Sequence, residues 1–171
     1  MMQQEKRKHL YNQWGYSKIH NLQIQSNFID NLTKKAVGFM SCRKGCAHCC
    51  SYEVSITDDE ADDLCRLIVD KVVEIDIDRL KNHMNVGQDE LSGDPRRCIF
   101  LNENNECNVY ENRPLMCRRF LVSSNPENCK VGSKKTTSFL RSNEIEKMLG
   151  KMSKGYMPRK LYLRLKNAKY I

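Results

Sequence analysis

From Ser17 to Ala36 the apolar residues Ile19, Leu22, Phe28, Ile29 and Leu32 recur at mostly helical spacing. This predicts a first helix, ended near Gly38. The charged stretch 3–14 before it has no such period and reads as frayed or loosely helical. A stronger period starts at Thr57. Ala61, Leu64, Cys65, Ile68 and Val72 fall on one face at i, i+3 and i+4 steps. Thr57 and Glu60 fit a capping box, and Asp58 and Asp59 suit the positive end of the helix dipole. A helix running to about Glu74 is predicted, with that stripe buried. Residues 76–94 carry Asn82, Asn85, Gly87, Gly93 and Asp94 and read as loop, with room for a short helix.

Further on, two short apolar arms, Cys98-Ile-Phe-Leu101 and Cys107-Asn-Val-Tyr110, flank the turn-forming run Asn102-Glu-Asn-Asn-Glu106. That pattern predicts a β-hairpin. Arg113-Pro114 suits the start of a helical turn, because proline is tolerated at the first helical position. Another helix is predicted over 143–152, capped by Ser142 or Asn143. At the end of the chain, Leu161, Leu163 and Leu165 alternate with Lys160, Tyr162, Arg164 and Lys166 as in a strand. Leu161 and Leu165 also fit one helical face, so both readings stay open there.

The elements add up to a mainly α fold with a small β-hairpin, in a single compact domain organised around a cysteine-rich metal site. A chain of 171 residues suffices for one domain. It divides into an N-terminal helical segment (1–37), a cysteine-cluster domain (38–132), and a basic C-terminal helical or extended segment packed on it (133–171). The first residues are hydrophilic, without the apolar core of a signal peptide. No run of about eighteen apolar residues occurs, so no membrane span is expected. The expected location is the cytoplasm.

The net charge of +8 is uneven. Residues 1–41 hold six Lys/Arg against two Asp/Glu, residues 42–129 eleven against seventeen, and residues 130–171 twelve against two. The basic flank, with Tyr156, Tyr162 and Tyr170 interleaved, invites a nucleic-acid or acidic protein partner. A solvated charged surface is the plainer alternative. No Gly-x-Gly-x-x-Gly or phosphate-loop pattern exists among the eight glycines, and no Ser/His/Asp set stands out.

Nine cysteines change the picture. Four lie within nine residues, Cys42-Arg-Lys-Gly-Cys46-Ala-His-Cys49-Cys50. Spacings of two and three residues let one loop turn several sulfurs toward one ion, and Gly45 supplies the backbone freedom. Arg43 and Lys44 favour thiolate over thiol. The Cys42-x-x-x-Cys46-x-x-Cys49 spacing is also one that chelates three irons of a four-iron cluster. A second group follows at Cys98, Cys107, Cys117 and Cys129, with the hairpin bringing Cys98 and Cys107 together. Arg113, Arg118 and Arg119 flank Cys117. Eight candidate ligands fill either two four-ligand sites or one site with spare thiols. Adjacent side chains tend to point apart, so Cys49 and Cys50 are not expected to share one small site. Cys65, on the apolar stripe, reads as a small core residue. His48 is a secondary candidate because thiolates already suffice, and His9, His20 and His83 read as ordinary surface residues. Cys46-Ala-His-Cys49 also has the form of a thioredoxin-type redox pair, but the neighbouring thiols favour chelation.

The linked pattern resembles the YkgJ-type cysteine-cluster family, described as chelating zinc or iron. It consists of Cys42-x-x-x-Cys46-x-x-Cys49-Cys50 with Val54-Ser-Ile56-Thr57-x-x-Glu60-Ala61, then Cys98-Ile-Phe100-Leu101. It closes with Cys107-Asn-Val109-Tyr110-Glu111-Asn-Arg113-Pro114-Leu-Met-Cys117-Arg118-Arg-Phe120 and a last cysteine at Cys129. The likeness covers residues 38–132. Ile99 departs from the family's usual proline and removes no ligand. The resemblance implies metal ligation by the eight clustered cysteines, as zinc or a 4Fe-4S cluster. It extends distantly to flagellin lysine N-methylase, a longer enzyme acting on protein lysines. No added domain comparable to that enzyme is expected here. A lysine N-methylase-like protein-modifying enzyme, or a zinc-bearing nucleic-acid or partner-binding adaptor, is therefore the alternative reading.

Overall fold

The computed structural model describes residues 16–43, 45–85 and 97–171. The readings of stretch 3–14, His9, Lys44, Gly87, Gly93 and Asp94 fall outside the described residues.

Helix α1 (Tyr16–Lys34) carries Lys34 in its last turn, and its Ile29 is fully buried. Thr33 donates its hydroxyl back to the Ile29 carbonyl at 2.9 Å, which satisfies a buried hydroxyl within the helix. After a loop, strand β1 (Ser55–Ile56) leads into α2 (Asp58–Val69). The capping box is formed at its start. Glu60 N–H donates to Thr57 Oγ1 at 3.2 Å, and Thr57 N–H donates to Glu60 Oε2 at 2.7 Å. Ala61, Leu64, Cys65 and Ile68 are buried as their spacing predicts.

The stripe stops before Val72, which is 66% exposed. Lys71 adopts a left-handed conformation (φ 58°), and the amides of Val72 and Val73 both close on the Leu67 carbonyl. That cap ends the helical phase, so burial passes to Val73. Helix α3 (Ile77–Asn85) is the short helix for which the reading of 76–94 left room, with Asp76 Oδ1 accepting from Arg79 N–H at 2.8 Å as its cap. It buries Leu80 and also His83, which is therefore a core residue and not a surface one. The His83 ring nitrogens lie 2.7 Å from the Tyr156 hydroxyl and 3.1 Å from the Arg97 carbonyl.

Between Cys98 and Tyr110 the two arms are antiparallel but joined by a single bridge, Leu101 with Cys107. Turn chemistry displaces strand pairing here. Asn102 Oδ1 accepts from the amides of Asn104 and Glu106, each at 2.9 Å, and Asn105 sits at φ 61°. Two-residue strands pair elsewhere: β1 runs antiparallel to β2 (Gly155–Tyr156), with Ser55 opposite Tyr156. Between them in sequence lie α4 (Leu115–Arg119) and α5 (Asn143–Gly150), the latter capped by Ser142.

The chain closes with α6 (Met157–Asn167). Its ambiguous leucines resolve as a helix because Leu161 and Leu165 are then fully buried while Leu163 turns outward. Each buried leucine is worth about 2 kcal/mol, which a strand with all three leucines on one face and no sheet to pack on would forfeit. Helices α2, α3 and α6 pack together with β1, Phe100 and Val109 as the main core. Ile29, Leu115, Ile145 and Leu149 form a second core joining α1, α4 and α5.

Opposite charges also join α2 to α6. Asp58 Oδ1 lies 2.7 Å from Lys160 Nζ and 2.8 Å from Arg164 Nη2, and Arg164 also bonds Asp62. Hydrogen bonds from Lys160 and Arg164 hold the Asp58 carboxyl below its ordinary range. Part of the basic flank is thus used within the molecule. Among the described residues no helix is long and apolar enough to cross a membrane.

The buried Glu60 joins α2 to α4, since its second oxygen accepts from Leu115 N–H at 2.7 Å. Glu60→Ala leaves two amides without their carboxylate partner and is expected to lower stability by about 3 kcal/mol in urea denaturation. Glu60→Gln, which keeps one acceptor oxygen, should fall between Ala and wild type. An unchanged midpoint for the Ala variant would contradict this role.

Candidate metal centre

The first cysteine loop is held at its start by Val122. Ser41 N–H donates to the Val122 carbonyl at 2.7 Å, and Val122 N–H points back at Cys42 Sγ at 3.3 Å. A backbone amide aimed at a sulfur favours its ionised form. Cys46 N–H closes a turn on the Arg43 carbonyl, with Gly45 at φ 82°. A side chain at Gly45 would meet nothing within 4 Å, so glycine serves the backbone conformation there and not the space. A 3-10 turn over His48–Ser51 then presents Cys49 and Cys50.

Three further contacts bring the second stretch to this loop. Cys98 N–H donates to the Cys50 carbonyl at 2.7 Å. The 3-10 turn Pro126–Cys129 packs against the His48–Ser51 turn, and His48 Nε2 lies 3.2 Å from Glu127 Oε1. Helix α4 carries Cys117, and its first amide is held by Glu60. Buried Arg118 braces the approach to α4. It bonds Asp30 Oδ2 at 2.6 Å and the carbonyls of Arg113 and Glu111.

All nine cysteines are free thiols. Eight of them gather. Cys49 raises the pKa of Cys42, Cys98, Cys107, Cys117 and Cys129 through charge repulsion, and it hydrogen-bonds Cys50. Cys46 does the same to Cys42 and Cys129. Cys65 stands apart in the core, where burial pushes its thiol to about 12 and its charged neighbours are Arg164 and Asp62.

Six of the clustered thiols are shifted upward. Burial lifts Cys42, Cys107 and Cys129, lifts Cys98 to about 12, and lifts Cys117 well above its ordinary value. Cys49 is raised chiefly by its hydrogen bond with Cys50, then by burial. One cation works the other way at three of these sites. The Arg113 guanidinium, 4.1 Å over the Tyr110 ring, lowers Cys42, Cys49 and Cys107.

Cys42, Cys46, Cys49, Cys50, Cys98, Cys107, Cys117 and Cys129 come together, and Cys65 does not. His20 is exposed. Three features were out of reach of spacing rules, namely the Val122 amide at Cys42, the Glu60 link to α4 and the placement of Arg113. The Glu-Asn-Arg113-Pro run before Cys117 was their nearest signal. Among the described residues, no three or more His, Cys, Asp or Glu side chains stand as a ready-made metal shell. In donor type the gathered set fits a thiophilic ion, being sulfur throughout and short of positive charge.

A family model described as "Putative zinc- or iron-chelating domain", with the signature CxxCxxCC, matches residues 41–146. The chain belongs to this family. It has three residues, not two, between the first cysteines of the signature, and Gly45 lies in that interval. No curated protein and no solved structure matches the chain significantly.

Exposure sets an order of thiol reactivity. Cys42 is exposed and Cys65 is buried in the core. In the metal-free protein, alkylation followed by peptide mass mapping is expected to mark Cys42 first and Cys65 only on unfolding. Early labelling of Cys65 would contradict this placement.

Proposed function

We propose that this chain is a metal-thiolate protein of the cytoplasm, in which the eight gathered cysteines hold an iron–sulfur centre or zinc. The reading rests on one observation: Cys49 neighbours Cys42 of its own stretch and also Cys98, Cys107, Cys117 and Cys129 of the second, some fifty to eighty residues further along the chain. Family membership supports it. A compartment that keeps thiols reduced is the natural setting for so many free sulfurs.

The physical logic follows from charge. Bringing several thiolates into one partly buried space costs free energy, which the raised pKa values express. A bound cation offsets that repulsion and links segments that otherwise meet through few contacts. Its binding free energy then becomes folding free energy. Closing a shell asks the thiol side chains to turn inward and asks for no new donors. Of the two inorganic groups, the Cys42-x-x-x-Cys46-x-x-Cys49 spacing favours the iron–sulfur centre.

Anaerobic purification with elemental analysis tests this. A brown protein absorbing in the visible, with iron, is the expected result. A colourless protein with stoichiometric zinc keeps the site and changes the metal, and protein free of both metals contradicts the proposal. Chelator should destabilise the loaded protein. A loss of about 5 kcal/mol moves the melting temperature by roughly 10–20 °C for a chain of this size.

Loading should also be proton-linked. Burial raises Cys98 to about 12 and raises Cys42, Cys107, Cys117 and Cys129 as well, whereas a metal ligand is a thiolate. Lowering pH therefore favours the empty form, and apparent affinity rises with pH across the neutral range. Zinc titration of the metal-free protein in weak buffer should release several protons per ion. Uptake without proton release would contradict thiolate ligation.

A further inference from the structure

Helix α1 has two apolar faces with different fates. Ile29 and Thr33 are buried on one of them, and Ile19 and Leu22 line a cleft against α2. The other face carries Ile24, Phe28 and Leu32, which stay 53%, 39% and 41% exposed. Steps of four residues set these three in one stripe along the helix. Uncharged amides, among them Asn21, Gln25 and Asn31, rim the stripe. Between Ile19 and Thr33 the only charged side chain is Asp30, and Arg118 takes its carboxylate at 2.6 Å. A solvated helix face in a chain with 29% charged residues would carry charges of its own. An apolar stripe with an uncharged polar rim is instead the composition of a contact surface.

We propose that this face of α1 is a dimer interface, packed antiparallel on α1 of a second copy of the chain. The pattern along the helix selects a copy as the occupant. The stripe is symmetric about Phe28, with Ile24 four residues before it and Leu32 four after. A two-fold axis at Phe28 therefore sets Phe28 on Phe28 and Ile24 on Leu32 of the second copy, twice over. The rim matches itself in the same register, Asn31 meeting Gln25 and Lys35 meeting Asn21 of the second copy. Charge points the same way. An acidic or basic partner finds no opposite charge along this stripe. Two copies carrying +8 each can approach along it without setting like charges together. The ends of the helix fix the antiparallel sense. A parallel pair would place Lys34 and Lys35 beside their own equivalents, whereas an antiparallel pair separates them to opposite ends and opposes the two helix dipoles. A single helix pair lies at the small end of specific interfaces, about 1,200 Å² in total, so the dimer should dissociate at roughly micromolar concentration. The interface is independent of what the cysteines bind.

Sedimentation of the full chain across the micromolar range reads the assembly, with a reductant present to prevent disulfide links through the exposed Cys42. A reversible monomer–dimer equilibrium is expected. Phe28→Ala, at the axis, should weaken it about tenfold or more. Ile24→Lys and Leu32→Glu should each weaken it as well. Combined in one chain they should restore it, because each lysine then faces a glutamate of the second copy. In a parallel pair the combination would set lysine on lysine and glutamate on glutamate, so a double variant weaker than either single overturns the antiparallel register. All three positions are exposed, and the melting temperature of the dilute, monomeric variants should match that of wild type. Wild type alone gives a second readout. Hydroxyl-radical labelling of Phe28 should fall as protein concentration rises. A chain that stays monomeric throughout, or a dimer that Phe28→Ala leaves equally tight, overturns the proposal.

Discussion

Mutual repulsion of clustered thiolates is the constraint on which this structure turns. Sulfurs drawn from two distant stretches gather around Cys49, where burial and one another's charge raise their pKa values. Packing alone would not favour so many sulfurs in one place. A chain meant only to bury small apolar groups would spread them through its core, as it does with Cys65. The gathering makes physical sense once a cation neutralises it, and the Arg113 guanidinium already supplies part of that charge.

The rest of the fold serves to hold those stretches in register. Glu60 is central because one buried carboxylate caps α2 and grips the first amide of α4, two residues before Cys117. Asp58 and Asp62 then draw α6 onto α2 through Lys160 and Arg164. The acidic middle and basic end of the chain thus meet as complementary faces. Arg118, buried with its guanidinium on Asp30 and on the two carbonyls before α4, ties α1 to the same region.

Much of this could be read from residue order alone. The capping box at Thr57, the α2 stripe, the helical turn after Pro114 and the exclusion of Cys65 all follow from local rules, and local rules sufficed. The failures were non-local. His83 looked like a surface residue because its partners, Tyr156 and the Arg97 carbonyl, lie 73 and 14 residues away. The arms at Cys98 and Cys107 suggested paired strands, yet side-chain bonding by Asn102 left a single bridge. The strand pair that does form joins Ser55–Ile56 to Gly155–Tyr156 across a hundred residues, and two-residue strands leave no periodic trace. The candidate cysteines were plain from spacing, while the approach of the second stretch to Cys49 depended on tertiary contacts.

X-ray absorption of the metal-loaded protein tests the central claim most directly. The account predicts a first shell made of sulfur only, at about 2.3 Å for zinc. A shell dominated by nitrogen or oxygen would show that the gathered thiols are not the ligands, and would contradict the account.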